Sequence, residues 1–435
     1  MMNRVKYTIK EYDSFTKNPN ITSATYHFLP EPVFDQLEQF VLSNRQESAT
    51  DTEAIELMTL TSKRGIGKVI SARNYVGLIT MKNGTEIEIL PKIYSRNDES
   101  SADDTKKVFL HMLRSLKEMP FKHFNFSNLN LDTHTILEIF IRMFIEEAYM
   151  LVKRGLKSEY TEHQDNEYFY KGKLNFSQHI RLNAAHKERF YIEYEIFSVN
   201  RPENRLIKTT IELLRKVCSN RTIQKDLHTL LAAFEAVDLS SDHALDFAKV
   251  TSDRNMSEYG KILQWCKVFL NRNSYTPFKG SGVAYALLFP MEKVFESYVA
   301  GQLRGALRST HASLTAQDRL HHLYDDPRRF SLRPDIVVNS GESIVVLDTK
   351  WKLLSPSKDY GISQADMYQA YAYHRKYNAR TVILVYPWTT VMSEITAPII
   401  YRSNDGVTVH IYFVDLTEGS GSIGKLGTLI EEIGV

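Results

Sequence analysis

The sequence is poor in cysteine, in long apolar runs and in net charge. Only two cysteines, Cys218 and Cys266, occur in 435 residues, which is too few for a disulfide framework and fits a reducing cytoplasm. No apolar run is long enough to span a bilayer, and the N-terminal segment has no apolar stretch of the signal-peptide type. The formal net charge of +2 does not indicate a strongly basic nucleic-acid-binding protein. We therefore expect a cytoplasmic protein without a membrane segment.

The length and the composition indicate a multidomain globular chain. Hydrophobic residues make up 43% and charged residues 24% of the sequence, and 435 residues are too many for one ordinary core. The fold class is predicted as α/β (α+β), with a small β-rich domain over residues 1–105, a mainly helical domain over residues 106–275 and an α/β domain over residues 276–435. The N-terminal strands are predicted at Leu57–Thr61, Gly67–Ala72, Val76–Met81 and Glu86–Ile89, after a helix near Glu31–Ser43.

One segment of the last third concentrates groups suited to chemistry. The run Arg333-Pro334-Asp335-Ile336-Val337-Val338, a turn at Asn339-Ser340-Gly341 and the run Ile344–Trp351 read as a β-hairpin. Side chains alternate along a strand, so Asp348 and Lys350 project from one face with Thr349 between them. Two carboxylates and a lysine on one hairpin suit metal-assisted cleavage of a phosphodiester, with Asp335 and Asp348 as ligands of a hard divalent cation.

Two flanking helices add further candidate residues. The segment Pro290–Val299 has helical apolar spacing and carries Glu296 beside its apolar stripe, where it reaches a metal or is an ordinary surface glutamate. The segment Ser363–Tyr373 is predicted to be a helix capped by Ser363, with Gln369 and Tyr373 on one face.

Helix, hairpin, helix and strand follow one another in the order that is typical of the PD-(D/E)xK nuclease core, which this segment resembles. Pro334-Asp335 and Asp348-Thr349-Lys350 are the matching motif. Gln369 and Tyr373 match the Gln-x-x-x-Tyr element of the RecB-like branch. The resemblance implies a restriction-endonuclease-like core over residues 276–435.

The chain as a whole resembles the McrC family, the nuclease subunit of McrBC-type modification-dependent restriction systems. The resemblance covers most of the chain. Besides the nuclease motif it rests on four stretches, Ala72–Ile79, Ile87–Ile93, Lys171–Phe176 and Phe197–Lys208.

The resemblance implies a DNA endonuclease that uses Mg²⁺, for which Mn²⁺ is a substitute. The implied metal ligands are Asp335, Asp348, Glu296 and the carbonyl of Thr349. Lys350 would position the attacking water and stabilise developing charge, and Gln369 and Tyr373 would orient the site or contact the DNA backbone.

The resemblance also implies a partner, a McrB-like AAA+ GTPase hexamer that binds GTP and recognises methylated or otherwise modified DNA. Residues 1–105 would dock on this ring. The segment Lys63–Lys68 is a candidate insertion loop, but for any single residue of it a solvated basic turn is the favoured interpretation. The roles of Arg201 and Arg205 stay open. They contact a ligand, or Asn204 and Arg205 hold the middle domain together.

A glycine-rich segment near the C-terminus has the residue spacing of a nucleotide-binding loop. Gly419-Ser420-Gly421-Ser422-Ile423-Gly424-Lys425 has Walker A spacing, but Leu426 stands where a Ser or Thr hydroxyl should bind magnesium. A Gly/Ser turn into a terminal helix is therefore preferred. Two other functions stay open for the whole chain: a stand-alone PD-(D/E)xK repair or processing nuclease, and a non-catalytic adaptor that activates an AAA+ ring.

Overall fold

A computed structural model describes residues 5–21, 23–48, 57–81, 83–92, 101–116, 134–250, 257–270, 283–341, 343–354, 358–388, 392 and 398–434. The helices in these ranges are α1 (Glu31–Ser48), α2 (Ser101–Leu113), α3 (Ile136–Arg154), α4 (Phe176–Asn183), α5 (Pro202–Val217), α6 (Arg221–Ala233), α7 (His243–Lys249), α8 (Ser257–Leu270), α9 (Met291–Ala306), α10 (Gln364–Lys376) and α11 (Ser420–Gly434). None of them combines the length and the apolarity that crossing a bilayer requires.

The strands alternate with these helices along the chain. They are β1 (Lys6–Lys10), β2 (Ser14–Thr16), β3 (Tyr26–Phe28), β4 (Met58–Lys63), β5 (Gly67–Ala72), β6 (Tyr75–Met81), β7 (Glu86–Leu90), β8 (Glu159–Glu167), β9 (Lys173–Leu174), β10 (Phe190–Ser198), β11 (Val283–Pro290), β12 (Ser313–Ala316), β13 (His322–Asp325), β14 (Arg328–Ser331), β15 (Ile336–Asn339), β16 (Ile344–Thr349), β17 (Thr381–Pro387), β18 (Ile399–Arg402) and β19 (Thr408–Val414). The predicted mixed α/β class is confirmed.

The chain divides into two compact units, one of residues 1–137 and 275–435 and one of residues 138–274. The division into three domains stays a prediction. Its boundary between residues 105 and 106 falls within α2, and its boundary between residues 275 and 276 lies outside the described residues.

The N-terminal part of the first unit contains two four-stranded sheets, ordered β3-β2-β5-β4 and β1-β7-β6-β11. The four predicted strands are confirmed as β4 to β7. The last strand of the second sheet, β11, pairs antiparallel with β6 and comes from the segment that the sequence assigned to the C-terminal domain. Alternating apolar residues of both sheets and of α1 form one buried core, with Phe15, Phe34 and Ile79 fully buried.

The C-terminal part of the same unit is built on a six-stranded mixed sheet in the order β12-β15-β16-β17-β19-β18. Its central strands β16 and β17 run parallel and are buried along most of their length, as expected of strands covered on both faces. Helix α10 packs on this sheet through the buried Ala370 and Tyr373. The sheet thereby positions the end of β16, which carries Asp348 and Thr349.

The second unit combines helices with a three-stranded sheet in the order β8-β10-β9. Asn204 is fully buried; its Nδ2 donates to the carbonyls of Lys157 at 3.1 Å and Val199 at 2.7 Å, and its Oδ1 accepts from Tyr259. Arg205 forms an ion pair with Asp246 at 2.6 Å. Both side chains therefore hold this unit together.

Helix α11 decides the interpretation of the glycine-rich C-terminal segment. The helix begins at Ser420, so the residues that would form a phosphate-binding loop are already helical. Lys425 Nζ lies 3.1 Å from Glu418 Oε2. The predicted turn into a terminal helix is confirmed.

Candidate active site

The hairpin predicted from the sequence is present and carries the ion pair at the centre of the candidate site. Strands β15 and β16 pair antiparallel, with Ile336 opposite Leu347. Asp348, near the end of β16, is only 3% exposed. Lys350 Nζ lies 2.6 Å from Asp348 Oδ2. The predicted placement of Asp348 and Lys350 side by side is therefore correct.

Asp335 is held against the same strand end by Thr349. Its Oδ2 accepts hydrogen bonds from the Thr349 backbone N–H at 2.7 Å and from the Thr349 hydroxyl at 2.6 Å. Burial raises the pKa of Asp335, although these bonds and the charge of Lys350 oppose the rise. The acidic residue before β15 is thus fixed to the residue between Asp348 and Lys350.

Glu296 reaches the site from α9 and is joined to Asp335 by Gln317. The Gln317 Nε2 group donates to Glu296 Oε1 and, at 3.4 Å, to Asp335 Oδ1. Burial, and then repulsion from Asp335, raise the pKa of Glu296 to about 7. The structure brings Glu296 to the hairpin as the sequence predicts, but its carboxylate is engaged by an amide.

A hydrogen-bonded row extends from Lys350 to α10. Lys350 Nζ donates to Gln369 Oε1 at 2.9 Å, and Gln369 Nε2 donates to the Tyr373 hydroxyl at 2.7 Å. Burial alone would lower the pKa of Lys350, but the carboxylates around it, Asp348 first, raise it. Lys350 is therefore a permanently charged group whose direction is set by Asp348 and Gln369.

The beginning of α10 explains why these side chains point at the hairpin. Ser363 Oγ accepts from the Asp366 backbone N–H at 3.2 Å, which is the predicted cap. Asp366 then lies 3.7 Å from Lys350 Nζ and 2.9 Å from Lys352 Nζ. Residues three and seven positions further along the helix lie on the same face, which places Gln369 and Tyr373 beside the lysine.

The two aspartates form the most suitable place for a cation. Burial, and then repulsion from Asp335, raise the pKa of Asp348 to about 6, and a divalent cation between two such carboxylates would remove that repulsion. Among the residues that the structure describes, no three His, Cys, Asp or Glu side chains come close enough to hold a metal ion. Asp335 and Asp348 offer the oxygen donors that a divalent cation prefers, and metal ligation by Asp335, Asp348, Glu296 and the Thr349 carbonyl stays a prediction.

Sequence reasoning missed two residues that support the site. Gln317 follows an exposed edge strand and gives no motif; its left-handed backbone, with φ of 56°, aims it at two carboxylates that are remote in sequence. Trp351 follows the lysine and is buried, with its Nε1 3.1 Å from both oxygens of Glu11. Its ring also packs against Phe295, the neighbour of Glu296.

Comparisons with known proteins agree on one family. The family described as "McrBC 5-methylcytosine restriction system component" matches residues 70–387. No curated protein sequence matches the chain. The fold is similar to a chain of the refined half-complex from the tetradecameric assembly of Thermococcus gammatolerans McrB AAA+ hexamers with bound McrC, with a TM-score of 0.70, 20% identity and coverage of 98% of this chain and 100% of that one.

A second solved structure, the cryo-EM structure of the Thermococcus gammatolerans McrBC complex, matches with a TM-score of 0.50 and 19% identity. That match covers 70% of this chain and 89% of the other. At these identities the similarity concerns the fold.

Proposed function

The chain belongs to the McrBC 5-methylcytosine restriction system component family, and on this basis we propose that it is the DNA endonuclease subunit of a McrBC-type restriction system. The observation that carries the proposal is the meeting of Asp335, Asp348 and Lys350 at one strand end, with Glu296 beside them. That set is what metal-assisted phosphodiester hydrolysis in a PD-(D/E)xK core requires.

In the proposed mechanism Asp335 and Asp348 would hold Mg²⁺, and Glu296 and the Thr349 carbonyl would complete the set of ligands. The bound ion would polarise the scissile phosphate and lower the pKa of a water molecule. Gln317 has to release Glu296 for this role, because its amide now donates to that carboxylate.

Lys350 supplies the fixed positive charge of the site. Its ammonium group would orient the attacking water and stabilise the additional negative charge of the pentavalent transition state. Gln369 and Tyr373 form the row behind it and would keep Lys350 in position. A positioned charge is more effective in a partly buried site than in water, because less solvent screens it.

We further propose that the chain works with a separate McrB-like AAA+ GTPase, which would bind GTP and select methylated or otherwise modified DNA. The Thermococcus gammatolerans assembly that shares this fold over 98% of the chain contains McrB AAA+ hexamers with bound McrC by its description. Residues 1–105 would dock on the ring. In the candidate insertion loop Lys63 Nζ bonds to the Tyr26 hydroxyl at 2.7 Å and Lys68 Nζ to Glu38 at 2.5 Å. The exposed Arg64 between them is the better candidate for a partner contact.

A cleavage assay separates this proposal from its two alternatives. The purified chain is incubated with Mg²⁺ on methylated and on unmodified DNA, with and without a McrB-like GTPase and GTP. We expect cleavage only when partner, GTP, Mg²⁺ and modified DNA are all present. Cleavage by the chain alone would indicate a stand-alone nuclease. Stimulated GTP hydrolysis without any cleavage would indicate an adaptor.

A further inference from the structure

A cleft of about 1,060 Å³ opens directly beside the candidate site, and both Glu296 and Asp335 line it. It lies within the first unit. Four basic side chains line the same cleft: Arg114 after α2, Lys293 and Arg304 on α9, and Arg333 before β15. Glu292 also lines the cleft, so its wall carries four basic side chains and three carboxylates.

Helix α9 presents a pattern suited to an extended anion. Lys293 and Arg304 are eleven positions apart on α9, which at 1.5 Å per residue is about 16 Å along the axis. Between them the residues that line the cleft include Ser297, Ala300 and Gly301, whose side chains are short. A backbone of phosphates could therefore lie close to the helix while cations flank it at both ends.

Arg333 lies in the cleft next to the carboxylates of the candidate site. It is exposed, and its charge acts on both Glu296 and Asp335. Neither Arg333 nor Arg304 forms an ion pair or a side-chain hydrogen bond with any residue that the structure describes. Two guanidinium groups in one cleft, with no acceptor among the described side chains, are suited to bind phosphate oxygens in the bidentate manner of arginine.

We propose that this cleft binds the sugar-phosphate backbone of the DNA strand next to the scissile phosphate, with Arg304 and Arg333 as the principal contacts and Lys293 as a further one. The inference rests on the proposed function and specifies where the DNA substrate would lie on the protein. Carboxylates at the site repel a polyanion, so cations on the adjoining wall are needed to hold the strand near the metal. The contacts are to phosphates, and they are therefore independent of base sequence.

Salt-dependent binding tests the proposal. The full chain carrying Asp348→Asn, which should prevent cleavage, is titrated in Mg²⁺ with a short fluorescent DNA duplex at several salt concentrations. Log affinity falls as log salt concentration rises, and each lost phosphate contact makes this slope less steep by about 0.9. We expect this reduction for Arg304→Ala and for Arg333→Ala, with about tenfold weaker binding for each. Arg304→Lys should keep the slope, because it keeps the charge.

The matched control is Arg402→Ala, which removes an exposed arginine from β18. This strand is the edge of the six-stranded sheet that lies opposite β12. Arg402→Ala should leave slope and affinity unchanged. An unchanged slope for both Arg304→Ala and Arg333→Ala, or the absence of salt-dependent binding by the chain itself, overturns the cleft assignment. A loss of GTPase stimulation with an unchanged slope would also overturn it, because the cleft would then bind the partner.

The two failures are distinguishable. Cleavage that persists in the Asp348→Asn chain with the partner contradicts the proposed function. Unchanged slopes together with loss of cleavage by Asp348→Asn contradict only the cleft.

Discussion

Trp351 Nε1 donates to both carboxylate oxygens of Glu11, each at 3.1 Å, across 340 positions of sequence. Glu11 is fully buried, and one of its oxygens also accepts from the Lys92 backbone N–H at 3.0 Å. The residue after the candidate catalytic lysine is thereby tied to the end of the first strand. The N-terminal sheets and the site therefore share one buried polar contact.

This contact predicts a specific pH dependence of stability. Burial raises the pKa of Glu11 from 4.5 to about 8, so between these values the folded chain keeps a proton that the unfolded chain has lost. Stability must then fall as the pH rises through this window and level off above it. Glu11→Gln cannot titrate and resembles the protonated side chain.

Denaturant unfolding of both proteins at pH 5 and pH 9 measures the difference. From pH 5 to pH 9 the free energy of unfolding of the natural chain should fall by at most about 5 kcal/mol relative to that of Glu11→Gln. Parallel pH profiles of the two proteins would mean that Glu11 is not a buried neutral acid.

The joint between β6 and β11 gives a prediction about the fold. Gly77 has a φ of +145°, and a Cβ atom there would lie 2.0 Å from the Leu287 carbonyl oxygen. Gly77→Ala must separate the two strands and should lower the free energy of unfolding by roughly 2–4 kcal/mol.

Gly424→Ala is the control for Gly77→Ala. A Cβ atom at this helical position meets nothing within 4 Å, so the change should stabilise the chain by up to about 1 kcal/mol. Equal effects of both substitutions on the unfolding midpoint would contradict the close approach of β11 to β6.

The buried amide of Asn204 predicts a graded loss of stability in the second unit. Asn204→Ala leaves two backbone carbonyls and the Tyr259 hydroxyl without their partner and should cost about 2–4 kcal/mol. Tyr259→Phe removes two bonds, the donation to Asn204 Oδ1 and the acceptance from the Lys157 backbone N–H, and should cost about 1–2 kcal/mol. Hydrogen exchange of α5 and α8 reports this unit directly; a larger effect of Tyr259→Phe than of Asn204→Ala would refute the network.

Gln369 should act as a positioning residue. Gln369→Leu removes the acceptor that directs Lys350 Nζ, and we expect the cleavage rate to fall about tenfold to a hundredfold while DNA affinity stays the same. Tyr373→Phe should have a smaller effect of the same kind. Tyr371→Phe, on the same helix but bonded to Asp405, is the matched control and should cleave normally. A change in DNA affinity alone would assign Gln369 to backbone contact instead.

The sequence predicts those parts of the structure that depend on contacts between residues close together in the chain, and it does not predict those that depend on distant residues. The β15–β16 hairpin, the cap at Ser363 and the helical face of Gln369 and Tyr373 depend on neighbours within a few residues, and they were predicted. The pairing of β11 with β6 joins residues some two hundred positions apart, and no local pattern indicates it.

The parts of the site that were missed have the same physical origin. Gln317 acts through a single amide aimed at Glu296 and Asp335, and Glu11 acts through burial that only the assembled core creates. In the second unit β8 pairs antiparallel with β10, and β9 and α4 lie between these two strands in sequence. Polar, aromatic strands without clean alternation give a weak periodic signal.

The most direct measurement compares the natural chain with Lys350→Ala in the presence of the GTPase, GTP, Mg²⁺ and methylated DNA, with DNA cleavage and GTP hydrolysis recorded together. Removing the ammonium group that lies 2.6 Å from Asp348 should abolish cleavage and leave the stimulation of GTP hydrolysis intact. Normal cutting by Lys350→Ala would contradict the proposed active site.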